Sequence, residues 1–142
     1  VNITTIETAM LDAIDAGYIA GHLCRDGSVF QAALRARNAS GDIAYCRDQG
    51  EIIGWARTEW WRGYQTLEAF VSPAYRGRGV SVACAQALIA SGAITRGSLV
   101  AVFREPMDVL AGRCGLRAEV FALEGSQWNR VRSTPACGCA RR

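Results

Sequence analysis

Hydrophobic positions recur along this chain in two rhythms, and each change of rhythm marks an element boundary. From Thr4 to Ala16 the apolar residues Ile6, Ala9, Met10, Ala13 and Ile14 stand three and four apart, with Gly17 behind them. That spacing predicts an amphipathic helix and its stop. A second helical pattern begins at Ser28, suited to an N-cap, and passes through Phe30, Ala33, Leu34 and Arg37 to end near Asn38 to Gly41. The stretch YIAGHLCRDG between them follows neither rhythm. Asp42–Arg47 and Glu51–Glu59 read as strands around the turn Asp48-Gln49-Gly50, a hairpin with glycine where a positive φ costs least. Trp60–Tyr64 is expected to be a loop, and Gln65–Ser72 a third strand. Residues 80–90, VSVACAQALIA, carry only Ser81 and Gln86 as polar side chains and are followed by Gly92. A helix so apolar all round must be covered on several sides, as when it lies against a sheet. Ser98–Phe103 predicts a strand, Pro106–Arg113 a short helix stopped by Gly115, and Arg117–Leu123 a last strand.

Length and composition narrow the picture. With 142 residues, half of them hydrophobic, the chain is expected to form a single domain over 1–128, followed by a flexible basic tail over 129–142. No run of 18 apolar residues occurs, and VNITTIETAM has no basic region followed by an apolar stretch. A cytoplasmic protein with no membrane partner is therefore expected. The six cysteines, at 24, 46, 84, 114, 137 and 139, are expected to be reduced thiols. Only Cys137 and Cys139 are close together, and the single histidine, His22, does not complete a ligand set, so no metal is expected and His22 is taken as structural. A net charge of +3 suits an anionic ligand and falls short of a dedicated nucleic-acid binder. All 16 basic residues are arginine, which fits either codon bias or the two-pronged recognition of phosphate by guanidinium.

The chemistry concentrates in AFVSPAYRGRGVSV, residues 69–82. An apolar strand breaks at Pro73, passes through Arg76-Gly77-Arg78-Gly79 and turns into the apolar helix. The open N–H groups of a helix first turn carry partial positive charge, and glycine lets them approach an anion without a Cβ in the way. The segment therefore predicts a phosphate cradle, with Arg76 and Arg78 at its rim. A solvated turn is the plainer alternative, as is a nucleic-acid segment of RGG type, although those lie in disordered repeats with no buried helix attached. P-loop and dinucleotide fingerprints are both absent, the first because the chain has no lysine.

VSPAYRGRGVSVACAQAL resembles the acyl-CoA motif of the GNAT superfamily of N-acyltransferases, V-x-P-x-x-(R/Q)-x-x-G-x-(G/A), through Val71, Pro73, Arg76 and Gly79. Ser81 stands where Gly or Ala is usual. PMDVLAGRCGLRAEVF is similar to the family's later segment, with Gly115-Leu116 for its Gly-Phe step, and the likeness spans roughly residues 28 to 124. The resemblance implies an α/β (α+β) fold: a mixed, mostly antiparallel central sheet with a parallel splayed strand pair and helices on both faces. It also implies acetyl-CoA as cosubstrate, held by Phe70, Val71, Arg76, Gly77, Arg78, Gly79, Val80 and Ser81. A small-molecule or peptide amine would be the acceptor, attacking the thioester directly in a monomer or homodimer.

An ammonium must lose a proton before it attacks, so a carboxylate near the thioester is expected. Glu68 is the first candidate, with a structural role as partner of Arg57 across the hairpin equally open, and Glu59 is the second. Gln65 stands where some relatives place their base, and an amide cannot serve. The resemblance places a tyrosine acid at Ala111, leaving water, Cys114 or Tyr75 to reprotonate the thiolate. Trp55, Trp60, Trp61 and Tyr64 offer either an aromatic wall for the amine or core and sheet-edge packing. A non-catalytic protein of the same shape, binding acyl-CoA or nucleic acid, is the alternative function.

Overall fold

Ile3–Glu7 is a strand, β1, where helical spacing predicted a helix from Thr4. The structure, a computed structural model, describes residues 2–22 and 40–136. After a short 3₁₀ turn at Thr8–Met10, helix α1 runs over Ala13–His22. Asp12 caps it: its side chain accepts the Asp15 N–H at 2.8 Å and its carbonyl the Ala16 N–H at 2.9 Å. The spacing misled because the positions it counted are not the buried ones. Met10 and Ile14 are 70% and 84% exposed, whereas Leu11, Ala16, Ile19 and Ala20 are buried. The second predicted helix, along with Cys24, Cys137 and Cys139, lies outside the described residues.

The predicted hairpin is present as β2 (Asp42–Asp48) and β3 (Glu51–Thr58). Its turn has Gln49 at φ 52° and Gly50 at φ 83°, the two positive values of a tight hairpin. Trp60–Tyr64 is a second small hairpin rather than a loop, with β4 (Trp60–Trp61) and β5 (Tyr64–Thr66) joined through Arg62 and Gly63, both at positive φ. The third predicted strand is two strands: β5 ends at Thr66, and β6 covers Glu68–Val71. Helix α2 (Val80–Ala90), strand β7 (Leu99–Val102), helix α3 (Met107–Arg113) and strand β8 (Arg117–Glu124) follow as expected. Residues 129–134 of the expected tail belong to strand β9 (Gln127–Thr134), paired antiparallel with β8 through a turn at Gly125, and residues 137–142 lie outside the described residues.

Two sheets result, β1-β2-β3-β6 and β4-β5-β7-β8-β9. All pairs are antiparallel except β5 with β7 and β7 with β8. Helices cover both faces. α2 and α3 bury Cys84, Leu88, Leu110 and Ala111 against Ala44, Ala56, Val100 and Val120 on one side, and α1 buries Ala16 and Ile19 against Ile43 and Trp55 on the other. Among the described residues no helix is long and apolar enough to cross a membrane.

Candidate functional site

Leu67, the residue between β5 and β6, is where one strand changes sheets. Before it, Gln65 and Thr66 pair in parallel with Val100 and Ala101 of β7, and Leu67 makes the last bridge, its N–H donating to the Ala101 carbonyl at 3.0 Å. After it, β6 pairs only with β3, from Arg57↔Glu68 to Gly54↔Val71. Backbone polar groups alternate sides along a strand. Ser72 donates to Ile53 of β3 at 2.8 Å, so even-numbered residues of this segment face β3 and odd-numbered ones face β7. The N–H and C=O of Ala69 and Val71 therefore point into a wedge that opens as β7 departs.

The wedge meets the N-terminus of α2 in one cavity of about 380 Å³. Of the eight residues the sequence assigned to an acyl-CoA site, Phe70, Val71, Arg76, Gly77, Gly79, Val80 and Ser81 line it. Arg78 does not; its guanidinium lies over the Tyr75 ring, 5.7 Å from the centroid. Gly77 and Gly79 sit at φ 77° and 76°, and a Cβ on either would meet nothing within 4 Å, so both are open toward the cavity and both demand glycine's backbone freedom. The first intrahelical bond runs from Ala83 N–H to Gly79 C=O. Helix geometry thus leaves the N–H groups of Val80, Ser81 and Val82 without an intrahelical partner at the helix end, the geometry that receives an anion. Gly54 sets the height of that end: a Cβ there would stand 2.5 Å from Val80 Cγ1, so only glycine lets α2 seat on β3. Arg76 folds back, its Nε donating to the Val71 carbonyl at 2.9 Å, while Tyr75 donates to Asp48.

An apolar helix whose open end faces a splayed strand is shared by many binding proteins, and the comparison with family models decides among them. The acetyltransferase (GNAT) family model matches residues 8–103, about two thirds of the chain. The protein belongs to the GNAT acetyltransferase family. The match spans the hairpin, the wedge, the cradle and α2, and stops before α3. Membership supports acyltransferase chemistry with an acyl-CoA donor in general. No curated protein matches the chain.

In this GNAT protein both candidate bases share one buried arginine. Arg57 is 1% exposed. Its Nη1 donates to Glu68 Oε1 at 3.0 Å, and its Nη2 to Glu59 Oε2 at 2.5 Å and to the Ser40 carbonyl at 3.2 Å. Register explains the meeting, because Arg57 sits directly opposite Glu68 on the face that also carries Trp55 and Phe70. Gln65 is a clamp: its Nε2 donates to the Ala93 carbonyl at 2.7 Å and its Oε1 accepts the Thr95 N–H at 2.9 Å, tying the loop after α2 to β5. Ala111 is fully buried in the core. Cys114 is not among the cavity residues, and burial pushes its thiol up to about 11; Tyr75 does line the cavity. The aromatics divide. Trp55 is core, Trp60 is 70% exposed, and Trp61 and Tyr64 join Phe103, Phe121 and Trp128 in an edge-to-face cluster against β7, β8 and β9.

Ala69, Arg104, Pro106 and Met107 also line the cavity and were not foreseen. Ala69 was within reach of the motif. Arg104 and Pro106 come from the β7–α3 connection and Met107 from the start of α3, which nothing in the sequence pattern ties to the cradle.

Proposed function

We propose that this protein transfers an acetyl group from acetyl-CoA to a primary amine. The observation that carries the proposal is the coincidence of two anion- and carbonyl-seeking features in one cavity: the open end of α2 at Gly79, and the inward N–H groups of Ala69 and Val71 on β6. A pyrophosphate suits the first. The second offers a thioester carbonyl fixed backbone donors as charge develops on its oxygen. The cavity is lined from α2 and the start of α3, while the Glu68 side chain lies on the face of β6 whose Phe70 packs against the α1-side core. Neither Glu68 nor Glu59 lines the cavity, and Glu68 acts from the strand residue next to the cavity-lining Ala69. The amine nitrogen attacks the thioester carbon, and the proton leaving the nitrogen passes to Glu68, directly or through water, with Glu59 second. The C–S bond breaks with its electron pair on sulfur, and CoA departs as a thiolate that water or Tyr75 at the cavity protonates. Arg57 holds both carboxylates in place.

Release of free thiol from acetyl-CoA, followed against a panel of amines that includes peptide N-termini, polyamines, aminoglycosides and modified nucleobases, tests this. Amine-dependent release with a matching acetylated product is expected. The engagement of Glu59 and Glu68 by Arg57, together with Ala111 in place of a hydroxyl, favours a second reading in which acyl-CoA is bound and not turned over. Thermal stabilisation by acetyl-CoA without thiol release from any amine would select that reading.

A further inference from the structure

Two carbonyls of β6 face the wedge, and each is held by a guanidinium. Arg76, in the cradle, takes Val71. The other is Arg104, two residues beyond the end of β7, whose Nη2 reaches across the wedge to the Ala69 carbonyl at 3.2 Å. Arg104 is half-buried and lines the cavity, and no carboxylate is among the cavity-lining residues. Its backbone carbonyl accepts the Met107 N–H at 3.0 Å, which fixes its Cα beside the first turn of α3 and leaves the long side chain as the moving part. Ala69 is the first odd-numbered residue past Leu67, so this contact closes the wedge at the position where β6 and β7 first separate.

We infer that Arg104 is a latch on the donor site: an acyl-carrying arm pairs with β6 only by displacing its guanidinium from the Ala69 carbonyl. This rests on the donor site proposed above. An arm that merely fills the wedge leaves the latch closed and gains nothing from β6. One with an amide N–H at the right height replaces the guanidinium's hydrogen bond, and the freed side chain moves out toward solvent. The latch therefore sets donor affinity: it weakens every arm that pairs with β6 by the fraction of time it is closed, and an arm that does not pair with β6 is unaffected by it. If it is closed about four-fifths of the time, apparent affinity is reduced about fivefold.

Calorimetric titration of the wild type, Arg104→Met and Arg104→Gln with CoA and with phosphopantetheine, which lacks the nucleotide, tests this. Both variants are expected to bind both ligands about fivefold more tightly. Weaker binding of CoA by the variants would overturn the inference and make Arg104 a direct ligand contact. Unchanged affinities would overturn it by showing that the contact does not compete. Failure of the wild type to bind CoA would remove the donor site itself, and the latch with it. Arg104→Gln, which keeps a polar side chain, guards against a result caused by misfolding of the apolar variant.

Discussion

Replacing Gly79 by alanine separates backbone strain from ligand recognition, because Gly92 at the other end of α2 supplies a matched control. The two glycines have φ values of 76° and 84°, and a Cβ on either would meet nothing within 4 Å. Either change should therefore cost only the left-handed strain, about 1–2 kcal/mol, a fall in melting temperature of roughly 3–8 °C for a chain of this length. Only Gly79 lines the cavity, where its new Cβ would stand between the helix-end amides and an approaching phosphate. A hundredfold excess of CoA over its dissociation constant should stabilise the wild type by about 2.7 kcal/mol. A tenfold loss of affinity in Gly79→Ala cuts that to about 1.4 kcal/mol, while Gly92→Ala keeps the full increment. Thermal melts with and without CoA read both quantities. Equal ligand increments in the two variants would refute the cradle.

Glu68→Gln should lower turnover about a hundredfold or more with CoA affinity unchanged, and rising pH should partly rescue it as more of the amine arrives neutral; an unchanged rate–pH profile would move the assignment to Glu59 or solvent. Arg57→Met should destabilise the fold by about 3–5 kcal/mol in a denaturant titration, because it removes the cation shared by two buried carboxylates. A loss below about 1 kcal/mol would mean the cluster is not what holds β3, β6 and Glu59 together. Burial opposes the charge on Asp108, but hydrogen bonds from Arg132 and Thr134 outweigh it and hold the carboxyl below its usual range. Its contribution is thus complete above the unfolded value of about 4 and lost as pH falls through the lower folded value. Asp108→Asn should lower stability at neutral pH and flatten the acid limb of a stability–pH curve; an unchanged limb would refute the sign.

The sequence was legible wherever local chemistry and tertiary structure agreed. The β2–β3 hairpin announced itself through Gly50, and α2 through its apolar run between Gly79 and Gly92; both glycines take positive φ, as their places require. The loop that leads into α2 was legible for the same reason, since glycine, arginine and helix start are consecutive; that it cradles phosphate is what we propose. β1 runs against the helical spacing because Thr4, Thr5 and Ile6 are β-branched residues that favour a strand. β9 was missed because its side chains are mostly exposed, so no apolar alternation marks it; the usable signal was Gly125-Ser126 between two extended runs, a hairpin turn. The break at Leu67 had no local signal, because its N–H bridges to β7, a strand more than 30 residues away. The Arg104 contact with Ala69 depends on that break and was equally hidden.

A crystal structure of the protein with CoA tests the central claim most directly. The account predicts pyrophosphate oxygens within about 3 Å of the first-turn N–H groups of α2, beginning at Val80, and the arm lying in the wedge against Ala69 and Val71. A bound CoA whose phosphates avoid the end of α2, or whose arm leaves the β6 edge unpaired, would contradict it.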